Sequence, residues 1–210
     1  MFDNLDTRTI SIGAIVIMIA ISAFFSIKKR MMFKRLQTLM AQQQWDEFYA
    51  LLDSKLAAFL YPEYNRTYLK LNSYLMREDN KNAKKIFDDL LERKLPKMQR
   101  IDLVIKAFNF YVSQNNAKRS KELLAEIEAH DDEKLKPVAH ECRLMYDTII
   151  CKSTANIEEL ERDIESADTL KRGRLEYLLA LQYGNKGDKA KHDEYLDRAA
   201  NDTYAPGEGQ

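Results

Sequence analysis

The sequence predicts an all-α protein: a single N-terminal transmembrane helix followed by a solenoid of about five antiparallel helix pairs. Three observations carry that reading. Thr9–Ile27 (TISIGAIVIMIAISAFFSI) is an uncharged apolar run without proline. Beyond it, hydrophobic patterns of helical period alternate with short polar breaks. A leucine or tyrosine recurs near the end of the first helix of each pair, at intervals of 35 or 37 positions.

The first run reaches roughly 28 Å as a helix, close to the ~30 Å hydrocarbon core of a bilayer. Lys28, Lys29, Arg30, Lys34 and Arg35 follow it, whereas only Arg8 precedes it. The positive-inside rule then places the C-terminal domain of a single-pass protein in the cytoplasm. The five cations are expected to meet anionic headgroups. A cleaved signal peptide, cut near Ala20-Ile21-Ser22, is the competing reading. Asp3 and Asp6 at the start, and Phe24, Phe25 and Ile27 beyond the cut, count against it. After a short N-terminus (residues 1–8) and the span (9–27) comes the basic juxtamembrane segment (28–35). Between Ala14 and Tyr61 there is neither Gly nor Pro, so a nearly continuous helix is expected to pass through that segment into Met31–Gln43.

That helix and the run from Trp45 to Phe59 form the first pair, ended by Pro62. Tyr64–Arg77 and the pattern Ala83, Ile86, Phe87, Leu90, Leu91 form the second, ended by Pro96. The third pair is Gln99–Ser113 with Ala117–Ala129, and the fourth is Pro137–Lys152 with Ile157–Ala167. Leu170–Tyr183 and Lys189–Ala200 make the fifth, and residues 203–210 a disordered tail. The recurring residues are Leu39, Tyr74, Tyr111, Tyr146 and Tyr183. One helix pair per period of this length marks a helical solenoid, in which neighbouring pairs stack to bury one shared core.

Over residues 33–202 these units resemble the tetratricopeptide repeat (TPR) family. The fifth unit, LEYLLALQYGNKGDKAKHDEYLDRAA, shows the family's small Ala180, then Tyr183, the Gly187-Asp188 turn and Ala199. The second has Tyr74, Ala83, Phe87 and the closing Pro96, and the first has Trp45 in QQQWDEFYALL. Units three and four depart: Ser120 replaces the small Ala, and the second helix of unit four has no good register. The resemblance implies a concave groove, lined by the first helix of each pair, that binds a peptide or a protein surface. Tyr68, Asn72, Lys106, Asn109 and Tyr177 are the groove candidates on matching positions, the Asn amides being able to donate to and accept from a peptide backbone.

Composition narrows the function classes. Lys plus Arg and Asp plus Glu are equal at 33 each, which argues against nucleic acid as the main ligand. The charge is unevenly spread, with 14 basic and 6 acidic residues over 66–121 but 5 and 14 over 122–168, so different segments suit different partners. Cys142 and Cys151 would fall on opposite faces of one helix, which excludes a shared disulfide or metal; two buried thiols in a reducing compartment are expected. There is no phosphate-cradling Gly-rich loop or Cys-x-x-Cys. His140-Glu141 lacks the second histidine of a zinc-protease helix, and His130, His140 and His192 have no evident partners. The expectation is a non-enzymatic, membrane-anchored adaptor that binds protein at the cytoplasmic face, with no cofactor, metal or small-molecule substrate. An extracytoplasmic chaperone-like protein and a subunit of a membrane complex are the alternatives.

Overall fold

The computed structural model describes the backbone of residues 7–204 and, Leu170 apart, the side chains of residues 15–202. All regular structure among these residues is helical, and the chain divides into two compact units, Met1–Arg93 and Lys94–Gln210.

The first unit contains α1 (Thr7–Ala41), α2 (Trp45–Leu52), α3 (Lys55–Leu60), α4 (Glu63–Met76) and α5 (Asn80–Glu92). Helix α1 runs unbroken through Lys28–Arg30, as a stretch without Gly or Pro allows. Its Met32, Leu36 and Leu39 bury against Phe48, Leu52, Ala57 and Tyr61. The single helix expected over Trp45–Phe59 is two. Ser54 takes an extended conformation, and its Oγ accepts from the Ala57 N–H at 3.1 Å, starting α3 afresh. Helices α4 and α5 pair, and Asp79 caps α5 through the Asn82 N–H at 3.1 Å.

The transmembrane element requires correction. Among the described residues no helix is long and apolar enough to cross a membrane. Side chains are described from Ile15, and the apolar run from there to Ile27 is thirteen residues long before Lys28, Lys29 and Arg30. Beyond these cations the same helix continues to Ala41 as part of a packed unit, burying Met32, Leu36 and Leu39. The earlier part of the expected span, and the short N-terminus, lie outside the described side chains. The membrane part of the fold class and the single-pass localisation with a cytoplasmic domain fall together; nothing in the structure tests the headgroup role expected of Lys28, Lys29, Arg30, Lys34 and Arg35. The Lys28 ammonium lies 5.6 Å from the Phe24 ring centre and that of Lys29 5.4 Å from the Tyr61 ring centre, while Tyr61 Oη donates to the Lys29 carbonyl at 2.6 Å.

The second unit contains α6 (Lys97–Ser113), α7 (Ala117–Glu128), α8 (Lys136–Met145), α9 (Ile157–Ser166), α10 (Thr169–Lys186) and α11 (Lys189–Tyr204). Helix α8 continues into a π-helical turn, Tyr146–Ile150. Leu144, Leu160, Ile164, Leu175, Leu178, Leu179 and Tyr183 make one of its core clusters. Between its helices, Arg100 grips Glu126 through two hydrogen bonds of 2.6 and 2.8 Å, and Arg143 binds Glu128. Thr203 and Tyr204, expected in a disordered tail, belong to α11, and the remainder of that tail lies outside the described residues. Neither cysteine is bridged, but only Cys142 is buried; Cys151 is exposed, because it lies just past the π turn.

A backbone feature recurs at every turn within a pair. Gln43, Glu78, Asn115, Lys152 and Gly187 all have left-handed φ, between 53° and 84°. In four of these turns the left-handed residue stands four places after the recurring Leu or Tyr. The next N–H there returns to the carbonyl of Leu39, Tyr74, Tyr111 or Tyr183, at 2.9 to 3.0 Å. This is the 6→1 bond that ends a helix with a left-handed cap. In the fourth pair Lys152 follows Tyr146 by six places, and the π turn takes up the extra length.

Candidate protein-binding groove

The π turn shapes the site. Thr148, Ile149 and Ile150 are three β-branched residues in succession, which crowd an ordinary helical turn. Here the Cys151 N–H reaches the Tyr146 carbonyl at 3.1 Å and the Ser153 N–H the Asp147 carbonyl at 2.9 Å. Two amides from α10 hold this wide turn. Gln182 Nε2 donates to Thr148 Oγ1 at 2.8 Å, and Gln182 Oε1 accepts from the Asn156 N–H at 3.1 Å. One helical turn on, Asn185 Nδ2 donates to the carbonyls of Thr148 at 3.0 Å and Ser153 at 3.3 Å. The carbonyl that the π turn frees thus has a partner.

In front of the turn lies a concavity of about 430 Å³, bordered by Asn109 and Val112 of α6, Ile149 and Lys152 of the π-turn segment, and Tyr177 and Leu181 of α10. A second, of about 480 Å³, shares Met145, Ile149 and Tyr177 with it and continues to Leu196 and Ala199 of α11. The two form one apolar trough with a polar end. Glu141 lines the second concavity but is paired with Arg174 at 3.0 Å. No carboxylate lines the first, and Lys152 has no ionic partner among the described residues. Asn109 and Asn115 are exposed on the same rim.

Of the groove candidates, the structure brings Asn109 and Tyr177 together. Lys106 sits on α6 one turn before Asn109, half-buried. Tyr68 and Asn72 lie on α4 in the other unit, both half-buried, with the Tyr68 ring stacked on Tyr64 at 5.7 Å. The sequence reading missed Lys152, Ile149 and the Gln182–Asn185 brace. The β-branched run Thr148-Ile149-Ile150 marks a crowded turn, but nothing local to it announces the amides that α10 brings. Two histidines do have partners: His140 Nε2 is 2.7 Å from Glu159 Oε1, and His192 Nδ1 is 2.8 Å from the Ala180 carbonyl. Donor atoms of His140, Glu159 and Asp163 lie within 4.8 Å of one another, a set able to hold a metal ion. The His140–Glu159 bond already gives two of these residues a structural role, joining α8 to α9.

No family model, curated protein or solved structure matches the chain.

Proposed function

We propose that the protein is a TPR-like helical adaptor whose second unit binds a protein partner in the trough between α6, the π turn and α10. One observation carries this reading. The first helices of three successive pairs contribute to a single concavity with an apolar floor and free amides at its rim. Apolar floors with a few directed polar groups suit the side chains and backbone of a bound segment. The groove is read as a binding surface, so the adaptor recruits or positions its partner without chemistry of its own.

The test is photo-crosslinking in cells from a benzoylphenylalanine placed at Leu181, with the same residue at Lys189 as a control outside the trough. A discrete protein adduct from position 181 that is lost with Tyr177→Glu is expected. An absent adduct, or an equal one from position 189, overturns the reading.

A further inference from the structure

We infer that the trough selects an extended acidic segment, whose carboxylate meets Lys152 and whose neighbouring aliphatic side chain enters the apolar well. The inference rests on the binding reading above and specifies the chemistry of the partner.

The first argument is charge. Residues 122–168 carry 14 acidic and 5 basic residues, an environment in which a cation readily finds an anion. Lys136, Arg143 and Arg162 each stand within 4.0 Å of a carboxylate. Lys134 and Lys152 do not, and of these two it is Lys152 that lies exposed on the rim of the trough. The trough offers no internal anion, since the first concavity has no carboxylate and Glu141 is already held by Arg174 at 3.0 Å. A basic segment would find no counter-charge there, whereas an acidic one finds an unshared ammonium.

The second argument is preorganisation. Lys152 occupies the left-handed position of its turn, with φ 56°. The neighbouring Ser153 is tied at both ends: its N–H donates to the Asp147 carbonyl at 2.9 Å and its carbonyl accepts from Asn185 at 3.3 Å. The backbone that presents the ammonium is therefore fixed before a partner arrives, which lowers the cost of binding.

The third is layout. Met145 and Tyr177 line both concavities, so an apolar wall runs on from the mouth that Lys152 borders. The exposed amides of Asn109 and Asn115 lie on the same rim and are placed to pair with its backbone.

The probe is the tetramethylrhodamine-labelled peptide Leu-Ser-Ser-Glu-Ser-Ser-Leu, which sets a leucine on either side of the glutamate. Its Gln and Lys counterparts serve for comparison. Each is titrated with the full-length protein by fluorescence anisotropy. The Glu peptide is expected to bind about fivefold more tightly than the Gln peptide, the size of one exposed ion pair, with the Lys peptide weakest. Added salt should narrow the difference. Lys152→Gln should level the Glu and Gln peptides, and Lys152→Glu should reverse the order of Glu and Lys; both replace an exposed side chain, and circular dichroism verifies the fold. Equal affinities for the three peptides, or an order unmoved by Lys152→Glu, overturn the acidic preference and leave the binding reading standing. The acidic preference is likewise overturned if no peptide binds while the crosslink from position 181 persists, since the occupant is then a folded surface or a second copy. If both peptide binding and crosslink fail, the reading and the inference fall together.

Discussion

Gln182 and Thr148, 34 residues apart in the chain, form a buried hydrogen bond of 2.8 Å that joins α10 to the π turn of α8. Both side chains are completely excluded from solvent. Replacing Gln182 by Leu leaves the buried Thr148 hydroxyl and the half-buried Asn156 N–H without their partner. Each such loss costs about 1–3 kcal/mol, so Gln182→Leu should lower stability by about 2–4 kcal/mol. Urea denaturation followed by circular dichroism measures this as a lower midpoint with an unchanged slope. A loss below about 0.5 kcal/mol, the level of an ordinary surface substitution, would show that the π turn does not depend on this brace.

The same bond shows what was and was not legible in the sequence. The helix pairs were, because Tyr74, Tyr111 and Tyr183 each precede a left-handed turn by four residues, and a local pattern of that kind is written in the local sequence. The π turn was not. Its wide hydrogen bonds are held by amides from α10, and no local propensity reveals a brace brought in from a helix formed later in the chain. Hence Asn109 and Tyr177, placed by their helix positions, border the concavity, while Lys152 was passed over as the last residue of the helix expected over Pro137–Lys152. The break at Ser54 was hidden for a different reason: a single capping serine interrupts an otherwise helical pattern without disturbing its apolar period. The expected span is overturned because, among the described residues, no helix is long and apolar enough to cross a membrane.

The left-handed turns allow a paired test of backbone strain. Gly187 has φ 84°, and a Cβ added there meets nothing within 4 Å, so Gly187→Ala probes conformation alone. It should cost about 1 kcal/mol, the penalty of a left-handed L-residue. Glu78 adopts φ 54° with a side chain. Glu78→Gly should therefore stabilise by about 0.5 kcal/mol, the relief being partly offset by the greater freedom of glycine in the unfolded chain. Thermal melts of the two variants should move in opposite directions. A shift of the same sign in both would separate these turns from any common strain.

The two thiols should differ sharply in reactivity. Burial, with the nearby Glu141 and Glu128, pushes the Cys142 thiol up to about 12, whereas Cys151 is exposed. Because the thiolate is the reactive form, folded protein should consume one equivalent of maleimide, at Cys151. The second equivalent should react only after denaturant is added. Rapid modification of Cys142 under native conditions, located by mass spectrometry, would mean that α8 opens far more readily than its packing implies.

Glu176 supplies a pH dependence of known sign. Its side chain is 2% exposed, Arg198 Nε donates to Oε1 at 3.2 Å, and Oε2 has no hydrogen-bond partner. Burial raises its pKa from the ordinary 4.5, Asp202 adds to the rise, and Arg198 opposes it. The folded state therefore favours the neutral acid. The stability contributed by this group is fully present below pH 4.5 and is lost as pH rises through the raised folded value. Glu176→Gln keeps an oxygen for Arg198 and removes the ionisation. Melting temperatures of the two proteins, measured from pH 3.5 to 8, should differ least at the acid end. The variant should gain progressively above pH 4.5 and remain the more stable protein at pH 7. Taking the difference between the proteins cancels carboxylates that both share, such as Glu126, whose pKa Arg100 holds below its ordinary value. If the variant is instead less stable at pH 7, then Arg198 and the neighbouring Arg172 hold Glu176 charged within the α10–α11 contact, and the ion pair outweighs its burial.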